Sequence, residues 1–145
     1  MDTAAFKNLS ILVVDDEAAM RLMLSRMLTR IGVGTVAGAE EGAAGIDAVN
    51  HAAAPFDVII CDLEMPTMNG FEFVRFLRML DDPAASRTPV IILTGHASHD
   101  YFNEALSLGI HGFLTKPLTR EKLAARIASA LDSPPLDPKA LRHGT

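Results

Sequence analysis

The chain is poor in the residues that mark secreted, membrane-spanning and nucleic-acid-binding proteins. It has one cysteine in 145 residues, Cys61, so no disulfide forms within the chain, and with no signal-like N-terminus we expect a cytoplasmic protein. No apolar run reaches the roughly 18 residues that a bilayer span needs, which predicts no membrane contact. The 13 basic and 18 acidic side chains give a net charge of -5 without a run of Lys or Arg, which argues against direct DNA binding.

Short apolar runs alternate with amphipathic stretches along most of the chain. The predicted strands are Ser10–Val14, Gly34–Gly38, Asp57–Asp62, Pro89–Leu93 and Ile110–Leu114. The predicted helices are Met20–Ile31, Glu40–Ala53, Phe71–Leu80, Tyr101–Leu108 and Thr119–Leu131. Repeated strand-helix units need crossovers that produce a parallel sheet covered on both faces. The sequence therefore predicts a doubly wound, flavodoxin-like α/β fold with five strands in the order 2-1-3-4-5 and five helices.

The predicted domain covers residues 10–132. We expect residues 1–9 to form a flexible leader, because they show no periodicity, and residues 133–145 to form a flexible tail, because their prolines disfavour a helix. Between the third helix and the fourth strand, residues 81–88 are predicted to be a polar turn. With 49% apolar residues the chain has enough material for one sizeable core.

Polar side chains follow four of the predicted strands. Asp15 and Asp16 follow the first strand, Asp62 ends the third, Thr94 follows the fourth and Lys116 follows the fifth. Ligands of open parallel sheets bind outside the carboxyl ends of the strands, so these side chains are expected to converge. Three gathered carboxylates repel one another, and a hard cation with oxygen ligands relieves that repulsion, which favours Mg²⁺.

This combination of side chains predicts phosphoryl transfer. Asp62 is the candidate nucleophile because it stands alone on the central strand, and a carboxylate nucleophile forms an aspartyl phosphate. Lys116 and Thr94 suit the remaining phosphoryl oxygens, as a cation and a hydroxyl donor. Lys116-Pro117 is also a candidate cis peptide bond. Taken singly, a strand-end Asp is more often a helix N-cap, and a loop Lys or Thr is more often solvated or in a turn.

Four motifs in register resemble those of the receiver domains of two-component response regulators. They are Val13–Glu17, Asp62 with Met65–Gly70, Ile91–Gly95 and Phe113–Pro117. The similarity extends over nearly the whole predicted domain. It implies a signalling switch rather than an enzyme in the usual sense, one that catalyses only its own phosphorylation and dephosphorylation.

The resemblance also implies roles for individual residues. Asp16, Asp62 and the backbone carbonyl of Glu64 would ligate Mg²⁺, with Asp15 acting mainly through a water on the metal. Thr94 would move toward the phosphoryl group, and Phe113 stands at the aromatic switch position, where Tyr is frequent.

Two further side chains and the partners follow from the same resemblance. Glu64 and His96 lie two residues beyond Asp62 and Thr94, on the path of the hydrolytic water, and are expected to tune dephosphorylation. The phosphoryl donor would be a sensor histidine kinase or a histidine phosphotransfer protein, and the output a contact with a downstream protein target. Phosphorylation-dependent homodimers would use the fourth predicted helix, the fifth strand and the fifth helix.

One enzyme class offers an alternative reading. Aspartyl-phosphate phosphohydrolases of the haloacid-dehalogenase type also combine a strand-end Asp nucleophile with Mg²⁺ and Lys. That family places a second Asp two residues after the nucleophile as general acid, whereas this chain has Glu64 there. The sequence therefore favours the switch.

Overall fold

The central sheet has five parallel strands in the order β2-β1-β3-β4-β5, as predicted. The structure is a computed structural model that describes residues 3–95, 103–105 and 107–132. The strands are β1 Ser10–Val14, β2 Thr35–Ala39, β3 Val58–Asp62, β4 Val90–Thr94 and β5 Gly112–Thr115. The doubly wound α/β class and the strand order are thereby confirmed.

Helices cover both faces of this sheet. They are α1 Ala18–Ile31, α2 Gly42–His51, α3 Gly70–Arg78, a one-turn helix Pro83–Ser86 and a last helix Arg120–Asp132. Residues 103–105 and 107 are also helical. α1 ends at Gly32, whose φ of 113° is accessible mainly to glycine. α3 begins with a capping box in which Asn69 and Glu72 each accept a hydrogen bond from the other residue's backbone N–H.

Two segments differ from the sequence expectations. The predicted polar turn contains the one-turn helix. The Asp82 side chain caps this helix by accepting a hydrogen bond from Ala84 N–H, and Pro83 is its first residue, a combination that suits a helix N-terminus. The predicted flexible leader contains a 3-10 helix over Thr3–Asn8, and the Phe6 side chain is only 3% exposed within the core. A single aromatic residue has no periodicity, so the sequence pattern did not reveal this anchor. The predicted tail lies outside the described residues.

The three central strands β1, β3 and β4 lie between two apolar layers. One layer packs against α1 and the last helix, and the other packs against α2, α3 and the helical residues near Leu108. Because every strand is parallel to its neighbours, all carboxyl ends meet at one edge of the sheet, where Asp62 pairs with Leu93 and Thr94 pairs with Thr115. Among the described residues, none of the helices combines the length and the apolar character that a membrane span requires.

Candidate functional site

Three carboxylates meet at the carboxyl edge of the sheet. Asp15 and Asp16 follow β1 and Asp62 ends β3, and one oxygen of each lies within 4.8 Å of the others. Asp15 is fully buried and Asp62 is 2% exposed, whereas Asp16 faces solvent. The convergence predicted from the strand ends therefore holds for these three side chains.

The backbone around Asp15 is fixed by its neighbours. Its Oδ1 accepts a hydrogen bond from Glu17 N–H at 2.9 Å, and its carbonyl accepts one from Arg21 Nη1 at 2.7 Å. Its Oδ2 is buried and finds no hydrogen-bond partner among the residues that the structure describes. Burial, opposed by the Glu17 bond and reinforced by the charge of Asp62, raises the pKa of Asp15 to about 6.

Lys116 reaches Asp62 from the end of β5. Its Nζ donates to Asp62 Oδ1 at 3.1 Å, and its side chain is 23% exposed. Burial raises the pKa of Asp62, although the hydrogen bond from Lys116 lowers it in part. Burial alone would lower the pKa of Lys116, but the hydrogen bond to Asp62 and the negative charge of Asp62 raise it overall. The pair therefore places a cation beside the predicted nucleophile.

Thr94 and Glu64 contact each other directly. The Thr94 hydroxyl donates to Glu64 Oε1 at 2.6 Å, and Gly95 N–H donates to Oε2 at 3.4 Å. Thr94 is fully buried at the end of β4, while Glu64 is exposed in the loop after β3. Sequence reasoning selected both residues for separate roles and did not foresee that they bond to each other.

The predicted switch aromatic Phe113 lies beside Phe71. Their ring centroids are 6.5 Å apart with a tilted angle of 44°, and both pack against the α2 and α3 layer. The Lys116-Pro117 peptide bond is cis. His96, predicted to tune dephosphorylation, lies outside the described residues.

Sequence reasoning missed a buried charged residue, Arg78, at the opposite edge of the sheet from this site. Arg78 is 8% exposed, and burial lowers its pKa to about 10. Its guanidinium donates to the carbonyls of Leu108, Ser86, Thr88 and Gly109 at 3.2, 3.1, 2.7 and 3.1 Å. The available signal was its helical spacing from the apolar residues of α3, which places an Arg on the buried face.

The acidic cluster fits a hard divalent cation. Its donors are carboxylate oxygens, the kind that Mg²⁺ prefers, and two of the three carboxylates are buried. Within the described part of the chain no donor reaches the buried Oδ2 of Asp15, and a cation in the cluster would satisfy this acceptor. The residues present therefore suit Mg²⁺.

Asp15 makes the stability of the metal-free protein depend on pH. Its pKa rises from 3.8 to about 6 on folding, so the folded state binds this proton more tightly than the unfolded chain. The stabilisation that this proton provides is fully present below about pH 4 and is lost as the pH rises through about 6. The loss lowers the free energy of unfolding by up to about 3 kcal/mol. We expect Asp15→Asn to flatten this part of the profile and to stabilise the metal-free protein at pH 7.

Mg²⁺ provides the second half of that measurement. Because the metal binds the ionised carboxylates, its stabilising effect on the wild type should grow between pH 5 and 7 and should be weaker in Asp15→Asn. Urea unfolding with and without Mg²⁺ across this range measures both effects. Equal stabilisation of both proteins by Mg²⁺ would show that Asp15 does not help to hold the ion.

Comparisons of the sequence and of the fold with known proteins agree with one another. Residues 11–128 match the response regulator receiver domain family. The chain is 32% identical over 121 residues to the probable chemotaxis protein CheY of Rhizobium etli, covering 83% of this chain and 91% of that protein. It is 30% identical over 119 residues to the chemotaxis protein CheY of Pseudomonas aeruginosa, covering 82% and 93%. The structure of Vibrio cholerae CheY4 at low pH superposes with a TM-score of 0.77, at 35% identity, covering 85% of this chain and 98% of that chain.

Proposed function

Because this chain belongs to the response regulator receiver domain family of two-component signalling, we propose that it is a switch in which Asp62 accepts a phosphoryl group from a phosphohistidine. The observation that carries the proposal is the pairing of Asp62 with Lys116 inside a cluster of carboxylates at the end of the central strands. We infer that the receiver domain spans residues 10–132.

The transfer exchanges one bond for another at phosphorus. A carboxylate oxygen of Asp62 forms the new O–P bond while the P–N bond to the donor imidazole breaks, and its electron pair returns to the imidazole nitrogen. Lys116 orients the Asp62 carboxylate and offers its positive charge to the incoming phosphoryl oxygens. This geometry needs no other covalent help from the protein.

Asp15, Asp16, Asp62 and the backbone carbonyl of Glu64 are proposed to hold Mg²⁺ beside the nucleophile. When bound, the ion supplies positive charge that offsets the repulsion between these carboxylates and the phosphoryl oxygens. The burial of Asp15 and Asp62 strengthens every such interaction, because little water screens them.

The output is proposed to be a conformational change that partners recognise. Thr94 donates to the phosphoryl group, and Phe113, packed against Phe71, responds to the movement of the end of β4. Glu64 and His96 are proposed to tune dephosphorylation. A sensor histidine kinase or a histidine phosphotransfer protein supplies the phosphoryl group, and β5 with the helices on either side of it is the proposed homodimer surface.

Chemical mapping tests the phosphoryl acceptor. Incubation with acetyl phosphate and Mg²⁺ should add one phosphoryl group, and borohydride reduction of the acyl phosphate should convert Asp62 into homoserine, identified by peptide mass spectrometry. The label should depend on Mg²⁺. Reduction at another carboxylate would refute the assignment, and steady phosphate release from general phosphomonoesters would favour the phosphohydrolase instead.

A further inference from the structure

The Glu64 carboxylate accepts hydrogen bonds from two donors at the end of β4. The bond from the Thr94 hydroxyl is short, at 2.6 Å, and joins residues 30 positions apart in the chain. The second bond, from Gly95 N–H, is longer, at 3.4 Å. Bonds to an ionised acceptor are stronger than neutral ones, so this contact ties the loop after β3 to the end of β4.

The same two donors lie beside the position that a phosphoryl group on Asp62 would take. Asp62 pairs with Leu93 across β3 and β4, so Thr94 and Gly95 follow directly beside the nucleophile. A hydroxyl has a single proton to donate. While the Thr94 proton is directed at Glu64, it is not available to a phosphoryl oxygen.

Charge favours an exchange of acceptors once the phosphoryl group is present. A phosphoryl group carries nearly two negative charges, which repel a carboxylate nearby. The negative charge of Glu64 contributes to the raised pKa of both Asp62 and Lys116, which places it within reach of further negative charge there. Glu64 itself is exposed, so its side chain has solvent to move into.

We propose that Glu64 is a latch that holds Thr94 in the unphosphorylated arrangement and that a phosphoryl group on Asp62 must displace it. This inference rests on the proposed function and adds a positioning residue to it. The latch competes with the phosphoryl group for the Thr94 proton. Weakening it should therefore favour the phosphorylated arrangement, separately from any effect of Glu64 on the hydrolytic water.

A double-mutant cycle with a phosphoryl mimic tests the latch. Beryllofluoride with Mg²⁺ is titrated into the protein, and binding is followed through the Gly95 amide signal in ¹⁵N NMR. Glu64→Ala should bind the mimic about tenfold more tightly, about 1.4 kcal/mol. Glu64→Gln, which keeps an acceptor but loses the charge, should bind the mimic with an affinity between those of the wild type and Glu64→Ala. Glu41→Ala, which removes an exposed carboxylate that caps no helix through its side chain, should bind as the wild type does.

The Thr94→Ala background separates the latch from simple charge repulsion. If Glu64 acts by holding Thr94, the gain from Glu64→Ala should shrink to about twofold once Thr94 is absent. The same tenfold gain in both backgrounds, or no gain in either, would overturn the latch while leaving the proposed function intact. Failure of every variant to bind the mimic would instead overturn the proposed function, and the latch with it.

Discussion

Asp62→Asn should abolish labelling by acetyl phosphate. The amide has nearly the same shape as the carboxylate but offers no nucleophilic oxygen, so the expected loss is complete rather than partial. The change also removes one of the charges from a crowded acidic cluster, so the variant should stay folded. Intact-protein mass spectrometry after incubation with acetyl phosphate and Mg²⁺ measures the result.

Asp57→Asn provides a matched control just before the same strand. Asp57 precedes β3 at the opposite edge of the sheet, where its Oδ2 accepts a hydrogen bond from Ser10 N–H at 2.8 Å. Its substitution removes the same charge but leaves the acidic cluster untouched, so labelling should match the wild type. Undiminished labelling of Asp62→Asn, or equal losses in the two variants, would contradict the role of Asp62.

Arg78→Met should lower the free energy of unfolding by about 2 to 4 kcal/mol. The guanidinium donates to four backbone carbonyls, and methionine fills similar space without any donor, so these acceptors lose their partners inside the protein. The loss of stability is smaller than four broken hydrogen bonds would suggest, because burying the Arg78 charge itself costs free energy and the variant avoids that cost. Urea unfolding at pH 7 measures the difference.

Arg75→Met is the control on the same helix. Arg75 forms an ion pair with Glu104, but its side chain is 52% exposed, so solvent screens the pair and the substitution should cost less than about 1 kcal/mol. The comparison distinguishes the hydrogen bonds of a buried Arg to backbone carbonyls from the surface salt bridge of another Arg on the same helix. Equal losses in Arg75→Met and Arg78→Met would show that burial of the Arg78 guanidinium does not matter.

Most of the architecture follows from local patterns in the sequence. Buried strands such as Val58–Asp62 are continuous apolar runs, and their alternation with helices leaves few topologies for a parallel sheet. Element boundaries were less accurate. β4 includes Thr94, which the sequence pattern places after the strand, and α2 is shorter at both ends than its alanine-rich pattern predicts. Sheet pairing and capping decide such limits, and neither is encoded by periodicity alone.

The sequence by itself determined which side chains reach the carboxyl edge of the sheet, because strand order and direction dictate where Asp15, Asp62 and Lys116 end up. Only the tertiary structure decided how those groups are paired. The bond between Glu64 and Thr94 depends on the path of a loop, and the carbonyls that Arg78 binds come from segments that are distant in the chain. Hydrogen bonds need atoms within about 3 Å and suitable angles, and no pattern of residue types specifies geometry that fine.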